Sequence, residues 1–570
     1  MLRPILEINS LNVVVSVLGI FMIICGFISL KVKQQWYLGE ALLPFALGII
    51  LGPAGAKFLN VVDWGGKHKG QASDIAYGLS RLVIGIQLVK AGYELPKKYL
   101  KQRWAELLIC LLPVMITMWF ATAACVMLVI PEMTFISALV IGACVTCIDP
   151  VLSQAIAKGP FSDNYVRRDL REFISAEAGG NDGVGFPFLL LAVCLVRYAE
   201  TPENTVSMEE FDLEKDHLDP SKLGRFGGGV GVALKHWAVE GVLYMVLMGL
   251  SYGAMVGYGS RKLLNFSLKR RWVDNESYFL FPAAIGLFIV GTCGCFGSDE
   301  TLACFIAGNA LNWDGKYLAE TEARHDSFNP GIETLLNFGG FLFLGAIMPW
   351  EKFQTPDETG ITVWRLICLG FLVLIFRRIP AVLLAHKFLG KVCKNWKEAL
   401  FMGYFGPIGM GAISYVEFAR RMFPPPGKAD AEINHLTAAL VPVVYWLVFF
   451  SIVVHGVSVP ILNGLYKLFD VPTICDEPVE IVLLSENEPP PNNSIVSPER
   501  HTAIVNNRFS RPVFDGMVER HLPRRSTLHP EDAETTMMRR SEEAWPLPEL
   551  PRNRSDPVHK NHGFAMRDTA

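Results

Sequence analysis

The sequence predicts an all-α polytopic membrane protein with about 13 transmembrane helices, inverted repeats, two broken crossing helices and a disordered tail. Three observations lead there. Only 19% of the 570 residues are charged and 51% are hydrophobic, whereas a soluble chain carries about a quarter charged residues. Uncharged runs such as Leu11–Leu30 and Leu107–Ile130 reach the roughly 20 residues that a helix needs to cross a bilayer. Proline and glycine interrupt two of the apolar runs near their centres. The composition excludes a soluble enzyme, a nucleic-acid binder and a secreted disulfide scaffold.

Taken in order, the candidate spans lie near residues 11–30, 38–56, 72–93, 105–130, 134–157, 171–197 and 236–257, then 278–295, 298–312, 332–349, 362–385, 399–418 and 437–467. The stretch 278–312 reads either as one long span or as two short ones. The first run reads better as a membrane helix than as a signal peptide, because Lys31 and Lys33 follow it without a small-residue cleavage site. Most of the 12 cysteines sit inside apolar runs as small hydrophobes; Cys144 and Cys147 have no second pair to complete a zinc site.

Orientation follows from the short loops. Those after odd-numbered spans hold Lys31/Lys33, Lys97/Lys98/Lys101/Arg103, Lys158/Arg167/Arg168, Arg261/Lys262/Lys269/Arg270/Arg271, Lys316/Arg324 and Lys387/Lys391/Lys394/Lys397. Loops after even-numbered spans are poorer in basic residues, and 199–223 is acidic. The bias places the N-terminus outside and the C-terminus in the cytoplasm. The transmembrane domain is expected over 1–470. Residues 471–570 carry 13 of the 35 prolines and no long apolar run, the composition of a disordered cytoplasmic tail. Arg524-Arg525-Ser526 and Arg539-Arg540-Ser541 within it have the form of basophilic kinase sites.

An ionisable residue at membrane depth costs about 2.5–3.5 kcal/mol on insertion scales, so each calls for a reason. Span six holds Glu177, Asn181 and Asp182 among glycines. Close helix packing explains the glycines but not two carboxylates. In span five, Pro150 removes a backbone hydrogen bond and breaks the helix, while Asp149 before it is a good N-cap. Two half-helices should meet there, with Asp149 facing a positive helix end and freed carbonyls near Thr146 facing a cation. Span twelve has a second break around Gly406 and Pro407. The two breaks are seven spans apart, an odd shift that reverses direction and marks an inverted repeat, as in a secondary transporter.

Span eleven carries Arg377 and Arg378, which either pair with the spare acid Glu177 or snorkel to the surface. Asp299 and Glu300 are solvated if their turn reaches the surface, and a second cation stop if it is buried. His455 in the last span is either a hydrogen-bonded structural residue or a proton carrier.

In this order, Thr146–Val151 (TCIDPV), Glu177–Asp182 (EAGGND), Arg377–Leu383 (RRIPAVL) and Gly406–Ala412 (GPIGMGA) resemble the monovalent cation/proton antiporters. Gly179–Phe188 and the final VHGVSVP are similar to the fungal plasma-membrane Na+/H+ antiporters. The likeness covers roughly residues 10–480. It implies a homodimer in the plasma membrane, with a dimerisation domain and a six-helix core that moves like an elevator. It also implies that Asp182 binds Na+ and H+ in turn with Asn181 beside it, that Asp149 and Thr146 belong to the crossed-helix site, and that Glu177 pairs with Arg378 rather than Arg377. Where this chain has Asp299 and Glu300, fungal members typically have two aspartates.

The expected activity is export of Na+, with Li+ and K+ as further candidates, in exchange for H+. No cofactor is expected, and no P-loop is present to use ATP. The partners are the two ions, the lipid bilayer and a second copy of the chain, with no nucleic acid and no enzymatic chemistry. Alternatives are another proton-coupled ion or solute transporter of the same architecture, or a cation channel.

Overall fold

The structure, a computed structural model, describes residues 10–61, 64, 70–199, 224–323, 328–425, 427–473, 480–483, 494–497 and 502–505. The chain divides into two units, Met1–Pro512 and Val513–Ala570. The second unit, with both basophilic triplets, lies outside the described residues, as does the acidic loop 201–223.

The membrane helices are α1 (Ser10–Leu30), α2 (Leu42–Leu51), α3 (Gln71–Tyr93), α4 (Trp104–Val129), α5 (Phe135–Cys144), α6 (Pro150–Lys158), α7 (Arg168–Arg197) and α8 (Gly229–Lys269). They continue with α9 (Asn275–Phe296), α10 (Glu300–Leu311), α11 (Phe328–Ala346), α12 (Val363–Phe376), α13 (Ile379–Ala385), α14 (Trp396–Tyr404), α15 (Met410–Arg421) and α16 (Ala431–Leu468). Every segment expected to span is helical. Among the described residues, eight helices are long and apolar enough to cross a membrane by length and composition, and α2, α5 and α10 are shorter apolar helices. The stretch 278–312 forms two helices, because Gly297 adopts a left-handed φ of 69° that ends α9.

Caps set the helix starts. Thr134, Asp274, Asn395 and Asp430 each accept a hydrogen bond from the backbone N–H three residues on, at 3.2, 2.9, 2.9 and 2.9 Å. Inside α4, Pro113 cannot donate to the ladder, and a π-turn over Cys110–Val114 absorbs the defect. Between α8 and α10 the packing is backbone to backbone: a Cβ at Gly253 or Gly257 would strike the Ala303 or Ala307 carbonyl. Glycine spaced by four is what permits that approach without a side chain between the helices.

Part of the expected disordered tail has regular structure. Glu480–Leu483 (β1), Ser494–Ser497 (β2) and Thr502–Val505 (β3) form an antiparallel sheet in the order β1-β3-β2, with Ile481 and Ile495 both opposite Ile504. The average composition of the tail conceals three short runs rich in β-branched residues, and those suit a pleated sheet.

Candidate functional site

Both predicted breaks are present. Helix α5 ends at Cys144, a turn and a bend carry the chain through Val145–Cys147 to Asp149, and α6 starts at Pro150. Likewise α14 ends at Tyr404 and α15 starts at Met410. The two breaks meet, and one carboxylate serves both. Asp149 Oδ1 accepts from the Leu152 N–H at 2.9 Å, capping its own helix, while Oδ2 accepts from the Met410 N–H at 2.6 Å, capping α15. The Asp149 N–H donates to the Pro407 carbonyl at 2.9 Å. Gly409 lies so close to Asp149 that any Cβ there would overlap the carboxylate. Two positive helix ends thus converge on one negative charge.

The opposite ends of the half-helices meet a cation that belongs to the protein. Arg377 Nη1 donates to the Val145 carbonyl at 2.5 Å, with the Thr146 and Cys147 carbonyls at 3.4 Å, and Nη2 donates to the Gly406 carbonyl. The freed carbonyls near Thr146 do face a positive charge, but it is a guanidinium, fixed by its five-donor fork. Thr146 gives its hydroxyl proton to the Gly142 carbonyl at 2.7 Å.

Neither arginine snorkels; Arg377 is 4% exposed and Arg378 2%. Arg378 holds Glu177 in a bidentate pair at 2.9 and 2.8 Å and donates from Nε to the Met402 carbonyl at 3.0 Å. The expected pairing of Glu177 with Arg378 rather than Arg377 is the one in the structure.

On α7, Asn181 Oδ1 accepts from the Ile148 N–H at 3.1 Å, tying that helix to the first break. Asp182 follows, with no solvent exposure and with no hydrogen-bond donor on either carboxylate oxygen. The Nδ2 of Asn181 is also without a partner. A Cβ at Gly411, in the first turn of α15, would collide with Asp182 Oδ1. The main-chain oxygen of Asp182 accepts from Tyr415 and from Thr301, the latter at 3.3 Å.

Thr301 brings a third acid close. Asp299 caps α10 through the Thr301 and Leu302 N–H groups at 2.9 and 3.1 Å and accepts from the Thr301 hydroxyl at 2.5 Å, leaving Oδ2 unpartnered. The Asp299 turn is therefore buried rather than solvated. Glu300 is occupied in an ion pair with Arg81 of α3. His455 places Nδ1 2.9 Å from the Ser451 carbonyl and Nε2 3.1 Å from the Tyr404 carbonyl. Ser451 in turn accepts from the Ile408 N–H at 2.7 Å. These contacts bind α16 to the second break and suit a structural histidine.

Sequence reasoning missed Tyr415, Thr301, Arg81 and Ser451. The one available signal was spacing: Tyr415 lies one turn after Gly411, so the two share a helix face.

Residues 17–463 match the family model described as sodium/hydrogen exchanger, transmembrane. The chain belongs to the sodium/hydrogen exchanger family. It is 36% identical over 464 residues to a probable Na(+)/H(+) antiporter of Schizosaccharomyces pombe, aligning over 80% of this chain and 56% of that one. It is 32% identical over 470 residues to Na(+)/H(+) antiporter 2 of Zygosaccharomyces rouxii, over 80% of this chain and 53% of that one. Another S. pombe Na(+)/H(+) antiporter is 30% identical over 465 residues and matched over 91% of its length. The chain thus spans about half the length of the longer curated relatives it matches. This exchanger-family chain also shares its fold with the sodium proton antiporter MjNhaP1 of Methanocaldococcus jannaschii, at a TM-score of 0.52 and 14% identity, over 79% of this chain and all of that one.

Proposed function

We propose that the chain is a secondary active antiporter that exports Na+ in exchange for H+ at Asp182. The observation that carries this is the state of that carboxylate: buried, without a donor on either oxygen, and next to the crossing of two broken helices. An ionised and uncompensated carboxylate at this depth is costly. A proton or a sodium ion removes that cost, and a single acid cannot hold both, so the two flows are coupled by competition. The empty charged site is the unfavourable state. The named activities of the fungal relatives support the reading.

Li+ and K+ are further cargo candidates, since hard oxygen donors accept any alkali cation. The lysine and arginine bias of the loops supports an outside N-terminus and a cytoplasmic C-terminus. The about 13 crossings, the plasma membrane and the homodimer belong to the same proposal.

Proton movement from vesicles challenged in turn with Na+, Li+, K+ and choline tests it. Falling pH should raise the apparent KM for Na+, because protons compete for the site. Asp182→Asn has no proton to exchange and should abolish Na+-driven proton movement at normal membrane abundance. Unchanged exchange in that variant would refute the assignment.

A further inference from the structure

Below the helix crossing, α6 and α7 each carry a buried hydroxyl that nothing in the exchange site uses. Ser153 is fully buried and Ser175 is 1% exposed, and neither Oγ has a hydrogen-bond partner. A helical serine ordinarily returns its proton to the carbonyl four residues back. Neither does so here, and two buried hydroxyls left unmade carry a desolvation cost.

The two helices are antiparallel and tied at both ends. At the crossing, the Ile148 N–H donates to Asn181; at the far end, Arg171 Nε donates to the Ala157 carbonyl at 2.6 Å. Counting from that far tie, each serine lies four residues toward the crossing, about 6 Å of helical rise. Ser153 and Ser175 therefore sit at one level. Ser175 also shares the face of α7 with Arg171, four residues before it, and with Ala178 and Asp182, three and seven after it. On α6, Ser153 is four residues from Asp149. The pair of hydroxyls thus lies between the exchange carboxylates and the end of α7 that bears Arg167 and Arg168, the cytoplasmic end in the orientation proposed above.

We propose that Ser153 and Ser175 form a neutral, partly dehydrating stop for an alkali cation on its way from the cytoplasm to Asp182. The proposal rests on the exchange-site reading and extends it to one side of the membrane. Hydroxyl oxygens are hard donors suited to Na+. Lacking charge, they bind weakly, as a transit site requires if the ion is to leave it. Arg171 lies one turn beyond Ser175, 1% exposed and fastened to Ala157.

The test is sided transport kinetics in vesicles of known orientation, on Ser153→Ala, Ser175→Ala and the double variant. Each lost hydroxyl should raise the KM for cytoplasmic Na+ by about fivefold, the equivalent of one hydrogen-bond-sized interaction. The KM for Na+ on the opposite face should not change, nor should the dependence on proton concentration. Ser→Thr at either position keeps the oxygen and should retain the parent KM. If the double variant folds poorly, Ser153→Ala alone carries the test with the same outcomes. A parent-like cytoplasmic KM, or a KM raised equally on both faces, overturns the proposal. Asp182→Asn is measured alongside: retained exchange there fails the exchange-site reading, whatever the serines do.

Discussion

Glu177 and Arg378 allow the most quantitative test of the core. The pair is bidentate at 2.9 and 2.8 Å, with side chains only 1% and 3% exposed. Removing one partner of a buried pair leaves an uncompensated charge, at about 3–5 kcal/mol. That is a loss of roughly two to nearly four orders of magnitude in the folded population. The two sides are not equivalent. Glu177→Ala strands a guanidinium that still has the Met402 carbonyl. Arg378→Ala strands both the carboxylate and that carbonyl, so it should be the more damaging. The assay is thermal unfolding of purified protein, with membrane abundance as a second measure. The exchanged double variant, Glu177→Arg with Arg378→Glu, should regain part of the loss, because opposite charges again meet. If both alanine variants unfold at the parent temperature and transport normally, the argument from buried charge fails.

Arg377→Ala should cost as much without touching any acid, since it uncovers the Val145 and Gly406 carbonyls at once; folded yield with a lysine variant as control checks this, lysine having one point charge for two helix ends. Arg225 pairs with Asp430, the N-cap of α16, and with Glu432 in its first turn. Burial alone would raise the Asp430 pKa, but hydrogen bonds from Arg225 and the Ile433 N–H outweigh it and hold the carboxyl below its usual range. The pair's contribution, about 1 kcal/mol or less for a partly exposed pair, is present above the unfolded value near 4 and is lost as pH falls through the lower folded value. Arg225→Gln should lower the melting temperature slightly at neutral pH, and the difference from the parent should shrink below about pH 4.

Much of this was legible because local chemistry was enough. Asp149 followed by Pro150 is both a helix stop and a helix start, and the glycines around Pro407 mark the second break in the same way. A span-eleven arginine could be matched to the spare acid Glu177, as an arginine at membrane depth needs a partner; the choice of Arg378 over Arg377 came from the family resemblance. The role of Arg377 was not legible. Its partners are the Val145 carbonyl, 232 residues away in sequence, and the Gly406 carbonyl, 29 residues away, and only the crossing brings the two to one guanidinium. The second cap made by Asp149 was hidden for the same reason, because the Met410 N–H belongs to the other repeat. Asp299 was legible as an acid but not as a neighbour of Asp182, since Thr301 makes that link through a side chain and a main-chain oxygen.

The crossing also bears on why Asp182 is the carboxylate proposed to take cargo. Four half-helix ends converge, two positive and two negative, and each pair is met by one fixed side chain of opposite sign. Asp149 takes both N-terminal ends and Arg377 both C-terminal ends, so the crossing is electrically balanced without an ion. Were Asp149 absent, a cation at Asp182 would face two bare helix N-termini that repel it. Were Arg377 absent, the exposed carbonyls would offer a competing cation site that holds its ion in place of releasing it. With both in position, the carboxylate whose two oxygens lack donors is the one beside the crossing rather than within it. In the proposed exchange, replacing one small cation by another at Asp182 alters the charge of a single side chain and leaves the helix ends neutralised throughout.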